Sequence, residues 1–124
     1  MVWQYVAVAL GGSLGAATRL LVAQLCGWFF GAGFPVGTFV INITGSLFLG
    51  WFLTVVRTRV LLSEAAVFGV AVGFVGAYTT FSTYMFESNA LISDGASIKA
   101  TINLLGSIIV GLAAVRLGIW LAAR

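Results

Sequence analysis

The chain contains no histidine, one cysteine and one proline, and only six basic and three acidic side chains among its 124 residues. Each shortage removes a class of function. Without histidine, and with Cys26 alone, no Cys/His set can hold zinc or a metal cluster, and an internal disulfide has no second partner. The same shortage removes the usual nucleophile–base pairs, so no enzymatic activity is expected. The net charge of +3 is small and dispersed, with none of the Lys/Arg clustering that a nucleic-acid-binding surface needs.

What fills the chain instead is apolar. Hydrophobic residues make up 61% of it and charged ones 7%, the balance of a membrane protein and not of a soluble domain. The length suits a single domain, residues 1–124, of about four spans at roughly 20 residues each. The apolar runs place helices at about 3–26, 35–56, 63–91 and 97–121. No Lys or Arg precedes the first run, so it reads as a span and not as a cleaved leader. A chain this short can hardly enclose a wide pore alone, which implies an oligomer.

In the first span Gly11, Gly12, Gly15 and Ala16 set small residues four apart, a pattern that lets helix backbones touch. Arg19 lies inside this span or at its far end. It either snorkels to the interface or lines a polar vestibule. Residues 27–35 read as a Gly- and aromatic-rich turn, and Pro35 fits the first turn of the second helix. There Thr38, Asn42 and Ser46 fall four apart and share one face. A buried Asn42 needs partners for both its oxygen and its NH2, so it is either glue between helices or a donor aimed at an anion. In the fourth span Lys99, Asn103, Ser107 and Gly111 recur every four residues, a polar stripe on an oily helix.

The third span holds the most unusual stretch, residues 76–84. After an oily run, Gly76 is followed by four hydroxyl residues, Thr79, Thr80, Ser82 and Thr83, with Phe81 and Tyr84 among them. Hydrocarbon offers no water to unsatisfied polar groups, so residues like these must face protein or a watery cavity. Hydroxyls also compete for backbone hydrogen bonds. The stretch therefore predicts a helix broken near its middle, as in several membrane transport proteins. Phe81 and Tyr84, three apart, line up on one face, and Thr83 is placed to hydrogen-bond Glu87 one turn on.

Threading four spans puts both termini on one side of the membrane with Arg57, Arg59, Arg116 and Arg124. Arg19, Glu87, Asp94 and Lys99 go toward the other. The basic excess on the first side is small, and it leaves both orientations open.

Three segments together now carry a resemblance: residues 11–19 (GGSLGAATR), residues 37–46 (GTFVINITGS), and residues 79–84 (TTFSTY) followed by Glu87. The sequence resembles the small bacterial fluoride channels known as Fluc or CrcB, over all four helices. The resemblance implies an all-α membrane protein of four transmembrane helices that forms an antiparallel, dual-topology homodimer in the inner membrane. Each dimer would carry two fluoride pores and confer fluoride resistance. It implies that Asn42 gives fluoride an amide donor, that Phe81 and Tyr84 present ring edges, and that Thr38, Ser82, Thr83 and Ser107 line the path. It places Arg19 and Glu87 near a vestibule. It also implies a structural sodium ion on the dimer axis, held by the backbone carbonyls of Gly76 and Thr79. Fluoride, lipid and a second copy of the chain are the partners implied.

The sequence departs from the family pattern at Tyr84, where many relatives have Phe, at Asn103, where some have Tyr, and at Gly111, where some have Ser. The Tyr84 hydroxyl adds a donor that can hold fluoride or tie down Thr80. Two other functions fit parts of the sequence. A proton-coupled exporter of the small multidrug-resistance type needs a carboxylate within a span, but Glu64 and Glu87 fall near helix ends. A non-transporting assembly subunit would leave the polar residues without a purpose.

Overall fold

The computed structural model describes residues 1–59 and 61–124, and every regular element among them is helical. α1 is Val2–Phe30, α2 Val36–Thr58, α3 Glu64–Phe68, α4 Gly76–Tyr78, α5 Phe81–Ser93 and α6 Ser97–Ala122. A π-helical segment, Gly69–Val75, joins α3 to α4. Elements from α3 to α5 form one span, Glu64–Ser93, so the described residues hold four helical segments long and apolar enough to cross a membrane. The shortest, α2, has 23 residues. At about 1.5 Å per residue it exceeds a hydrocarbon core of roughly 30 Å. The chain is a multi-pass, all-α membrane protein.

The helix ends correct the sequence reading in one place. Residues 27–30 are not a turn; they are the last turn of α1. Gly31, with φ 71°, ends the helix, and its N–H donates to the Gly27 carbonyl at 2.9 Å. Trp28, Phe29 and Phe30 are exposed there, as aromatics at a membrane–water boundary are. A lone Gly27 does not outweigh that extension. Pro35 takes the N-cap position of α2. At the opposite end of the bundle Ser63 caps α3, its hydroxyl accepting from the Ala66 N–H at 3.3 Å. Glu64 accepts from Gln4 Nε2 at 2.8 Å and ties the start of α1 to the third span. Arg124 lies 3.6 Å over the Trp120 ring, an interfacial anchor for the end of α6.

The bundle consists of two helix pairs. α2 runs along α6, and α1 runs along the π segment and α4; α5 then crosses to lie on α6. In lipid no hydrophobic drive brings helices together, so association depends on how closely backbones approach. Glycines supply that approach on both pairs. A methyl on Gly50 would strike the Val115 carbonyl, and one on Gly118 the Leu47 carbonyl. Methyls on Gly11 and Gly15 would strike the Gly69 and Phe74 carbonyls of the third span. The Gly11/Gly15 stripe thus packs as its spacing predicts, whereas Ala16 of the second pair is exposed.

The third span carries two irregularities. The π segment leaves no mark in the sequence pattern; it holds Gly69 and Gly73, the surfaces that press on α1. The break lies three to four residues beyond Gly76. Gly76 itself is helical, at φ −61° and ψ −37°. Thr79 (ψ 159°) and Thr80 (ψ 118°) are extended. The chain breaks at Thr79–Thr80 because Asn42 and the Thr80 hydroxyl, and not a glycine, supply replacement hydrogen bonds.

Candidate functional site: a polar track at the helix break

The break is held from the side by α2. Asn42 Oδ1 accepts from the Thr80 N–H at 2.8 Å, and Asn42 Nδ2 donates to the Thr80 carbonyl at 3.0 Å. One side-chain amide therefore bonds both backbone groups of Thr80, whose N–H lies outside any helix. Thr80 then starts α5. Its Oγ1 accepts from the Thr83 N–H at 3.3 Å and donates to Thr83 Oγ1 at 2.9 Å. On the near side of the break the Thr79 hydroxyl donates to the Val75 carbonyl at 2.9 Å, and the Tyr78 and Thr44 hydroxyls lie 2.8 Å apart.

Two cavities meet at Thr80. A groove of about 320 Å³ is lined by Asn42, Ser46, Thr79, Phe81, Tyr84 and Ser107. A second, of about 270 Å³, is lined by Arg19, Thr38, Thr80, Thr83 and Glu87. Thr38 and Glu87 also line a third cavity that reaches Asp94 and the α1–α2 turn. The order along the molecule is therefore groove, Thr80, vestibule, turn. Except for Arg19, Glu87 and Asp94 toward the outer end, the polar lining is neutral: amide, hydroxyl and aromatic ring.

The residues singled out in the sequence divide as follows. Asn42, Phe81, Tyr84 and Ser107 share the groove; Thr38, Thr83, Arg19 and Glu87 share the vestibule. Arg19 is half-buried and lines the second cavity with Thr38, Thr80, Thr83 and Glu87. Ser82 is exposed and lines neither cavity within one chain. Phe81 and Tyr84 sit edge to face, 6.0 Å between centroids at 63°; Phe81 is 72% exposed while Tyr84 is 6%. Thr83 pairs with Thr80 and not with Glu87, whose Oε2 is buried without a partner. The Tyr84 hydroxyl does not tie down Thr80. It donates to the Leu104 carbonyl of α6 at 2.6 Å. A buried tyrosine hydroxyl needs a partner, and here it takes a backbone acceptor of the neighbouring helix.

For three contributors the sequence did not show the partner. Thr80 stood in the hydroxyl run, but nothing in the spacing marked it as the residue Asn42 would grip. Ser88 is 2% exposed and donates to the Tyr84 carbonyl at 2.7 Å. Asn103, 1% exposed, donates to Ser88 Oγ at 2.9 Å and leaves its own Oδ1 buried without a partner. The four-residue step from Tyr84 to Ser88 was the available clue. Lys99, first of the stripe on α6, donates to the Gly33 carbonyl at 3.1 Å and fastens the α1–α2 turn.

A cation at Gly76 and Thr79 would need free carbonyls, and the break supplies them. In an unbroken helix those oxygens accept from the N–H groups of Thr80 and Thr83. Both N–H groups point elsewhere here. Gly76 is exposed on the face of the single chain. No cluster of Asp, Glu, Cys or His suited to a metal occurs among the described residues. Neutral carbonyl oxygens of this kind fit a hard cation.

A family model described as "CrcB-like protein, Camphor Resistance (CrcB)" matches residues 6–119. A protein of Methylococcus capsulatus is 44% identical over 119 residues, 95% of this chain and 52% of its own length. This chain thus spans about half of that relative. A protein of Geobacter metallireducens is 40% identical over 117 residues, covering 94% of each chain. One from Vibrio parahaemolyticus is 36% identical over 117 residues, 94% of this chain and 92% of its own. All three relatives bear the name fluoride-specific ion channel FluC.

Proposed function

This chain belongs to the CrcB-like protein family, and from that premise we propose that it is a channel that lets fluoride leave passively across the bacterial inner membrane and so protects against it. The observation that carries the reading is the track of neutral donors meeting at Thr80. Fluoride is small and strongly hydrated. Even a carboxylate-sized ion costs on the order of 20 kcal/mol to move into low dielectric by the idealised Born estimate, and a smaller ion costs more. Asn42 has one amide hydrogen left after bonding the Thr80 carbonyl. Ser46 and Ser107 add hydroxyls to the same groove, and Phe81 and Tyr84 add the electropositive edges of their rings. Several moderate sites in series let an ion move on, whereas one very tight site would trap it. Arg19 draws anions to the vestibule. A proton-coupled exporter is a poorer fit, since Glu64 is exposed at the start of α3 and Glu87 lies toward the outer cavities.

Efflux from vesicles containing only this protein tests the reading. With potassium fluoride inside and valinomycin present, fluoride should escape without a proton gradient while chloride is retained. Equal loss of the two anions, or a requirement for a proton gradient, would overturn it.

The working unit is an antiparallel homodimer with two pores. Phe81, Ser82, Thr83 and Phe86 are all exposed on a single chain, and hydroxyls left against hydrocarbon would be costly. A second copy covers them and completes the lining to which Ser82 and Phe81 belong. The Lys/Arg excess on one membrane side is small enough to leave insertion both ways open. In a Cys26→Ser background, a cysteine added at one terminus should be labelled from outside intact cells in about half the copies. Uniform labelling with normal fluoride efflux would rule out dual topology. On the dimer axis the Gly76 and Thr79 carbonyls of both copies hold a structural sodium ion, which supplies fixed positive charge between the pores.

A further inference from the structure

The geometry points to a shared task for Asn42 and Thr80 as positioning residues: together they keep the Gly76 and Thr79 carbonyls out of helical hydrogen bonding, and so hold a backbone cation site open. The inference rests on the sodium reading above and adds what maintains the site. Two N–H groups are able to close these carbonyls, those of Thr80 and Thr83. Each is captured by a different side chain. Asn42 Oδ1 takes the Thr80 N–H at 2.8 Å, and Asn42 Nδ2 locks the same peptide from its carbonyl at 3.0 Å. Thr80 Oγ1 takes the Thr83 N–H at 3.3 Å and is itself oriented by its 2.9 Å bond to Thr83 Oγ1. Thr80 is 8% exposed, so water has little access to compete for these groups.

The break is therefore a two-state element. In one state the helix is continuous and the carbonyls are spent on it. In the other, Asn42 and Thr80 hold the donors and the carbonyls face a cation. An orphan carbonyl within a membrane is unfavourable, so losing either side chain drives the segment toward the continuous state and removes the site. A cation and the Asn42–Thr80 bonds favour the same state, and by linkage each strengthens the other. The groove amide and the axial cation are thereby coupled through one peptide group.

Thermal unfolding of the purified full chain in detergent, with sodium exchanged for N-methylglucamine, tests this. The wild-type Tm should rise with sodium and saturate. Asn42→Ala and Thr80→Val should each raise the half-saturating sodium concentration at least about tenfold. Thr80→Ser keeps the hydroxyl and should restore the wild-type value. Ile41→Ala, buried beside Asn42 but bonded to neither backbone group, should lower Tm at every sodium concentration and leave half-saturation in place. Where Asn42→Ala fails to fold, Thr80→Val carries the test, since it leaves the Asn42 bonds to the backbone intact. A wild-type Tm indifferent to sodium overturns the cation site and this inference together. A responsive wild type whose half-saturation survives both Asn42→Ala and Thr80→Val overturns this inference alone.

Discussion

Asn42→Ala is expected to slow fluoride efflux from vesicles by about ten- to a hundredfold, while Tyr84→Phe changes it only modestly and leaves selectivity over chloride intact. The two side chains line the same groove, yet their polar atoms do different things. Alanine at position 42 leaves the dehydrated anion short of a donor, at a cost of about 1–3 kcal/mol, and leaves both Thr80 backbone groups without their partner. Phenylalanine at position 84 keeps the ring edge that faces the anion. What it loses is the hydroxyl's 2.6 Å bond to the Leu104 carbonyl, which holds α5 on α6. That loss shows as about 0.5–1.5 kcal/mol of stability and not as a pore defect. Efflux from both variants, with the dimer verified by size-exclusion chromatography, decides the matter. If Tyr84→Phe abolished transport while Asn42→Ala did not, the pore would lie elsewhere.

The contrast shows where the sequence could be read and where it could not. Four spans were legible because hydrocarbon thickness and helical rise fix how long an apolar run must be. The presence of a break was legible too, since a hydroxyl run inside an oily span has few other uses. Its exact residues within 76–84 were not. Glycine weakens a helix only where something else offers the backbone better partners, and the side chains of Asn42 and Thr80 offer them at Thr79–Thr80 and not at Gly76. A grip between α2 and the third span, 38 residues apart, leaves no local pattern. The fate of the Tyr84 hydroxyl was hidden for the same reason, because its acceptor is a backbone oxygen of another helix. The π segment was hidden because one extra residue in a turn barely alters an all-apolar pattern. Asn103 was visible as part of a stripe, but its burial against Ser88 depends on how α5 crosses to α6.

Glycines of α6 show the same division between pattern and packing, and they carry the largest expected effect on stability. Gly111 and Gly118 lie on one helix, seven residues apart. By intrinsic propensity alone, alanine at either site should stabilise the helix by about 1 kcal/mol. At Gly111 that holds, because a methyl would rest 3.6 Å from Ile43 Cδ1 and 4.0 Å from Ser46 Oγ, ordinary contacts. Gly111→Ala should fold as well as wild type or better. At Gly118 the methyl would strike the Leu47 carbonyl and come within 2.8 Å of the Trp51 nitrogen. Both are backbone atoms of α2 and cannot rotate away, so the two helices must separate. Overpacking of this kind costs about 1–3 kcal/mol even where side chains yield, and rigid backbone raises it. The damage spreads to Gly50, whose contact with the Val115 backbone depends on the same close approach. Because α2 carries Asn42 and α6 carries Ser107, their separation also widens the groove. Gly118→Ala should therefore lower Tm sharply and reduce fluoride efflux, while Gly111→Ala does neither. Thermal unfolding and efflux on the matched pair check both claims, and equal behaviour of the two variants would mean that α2 and α6 do not meet through Gly118.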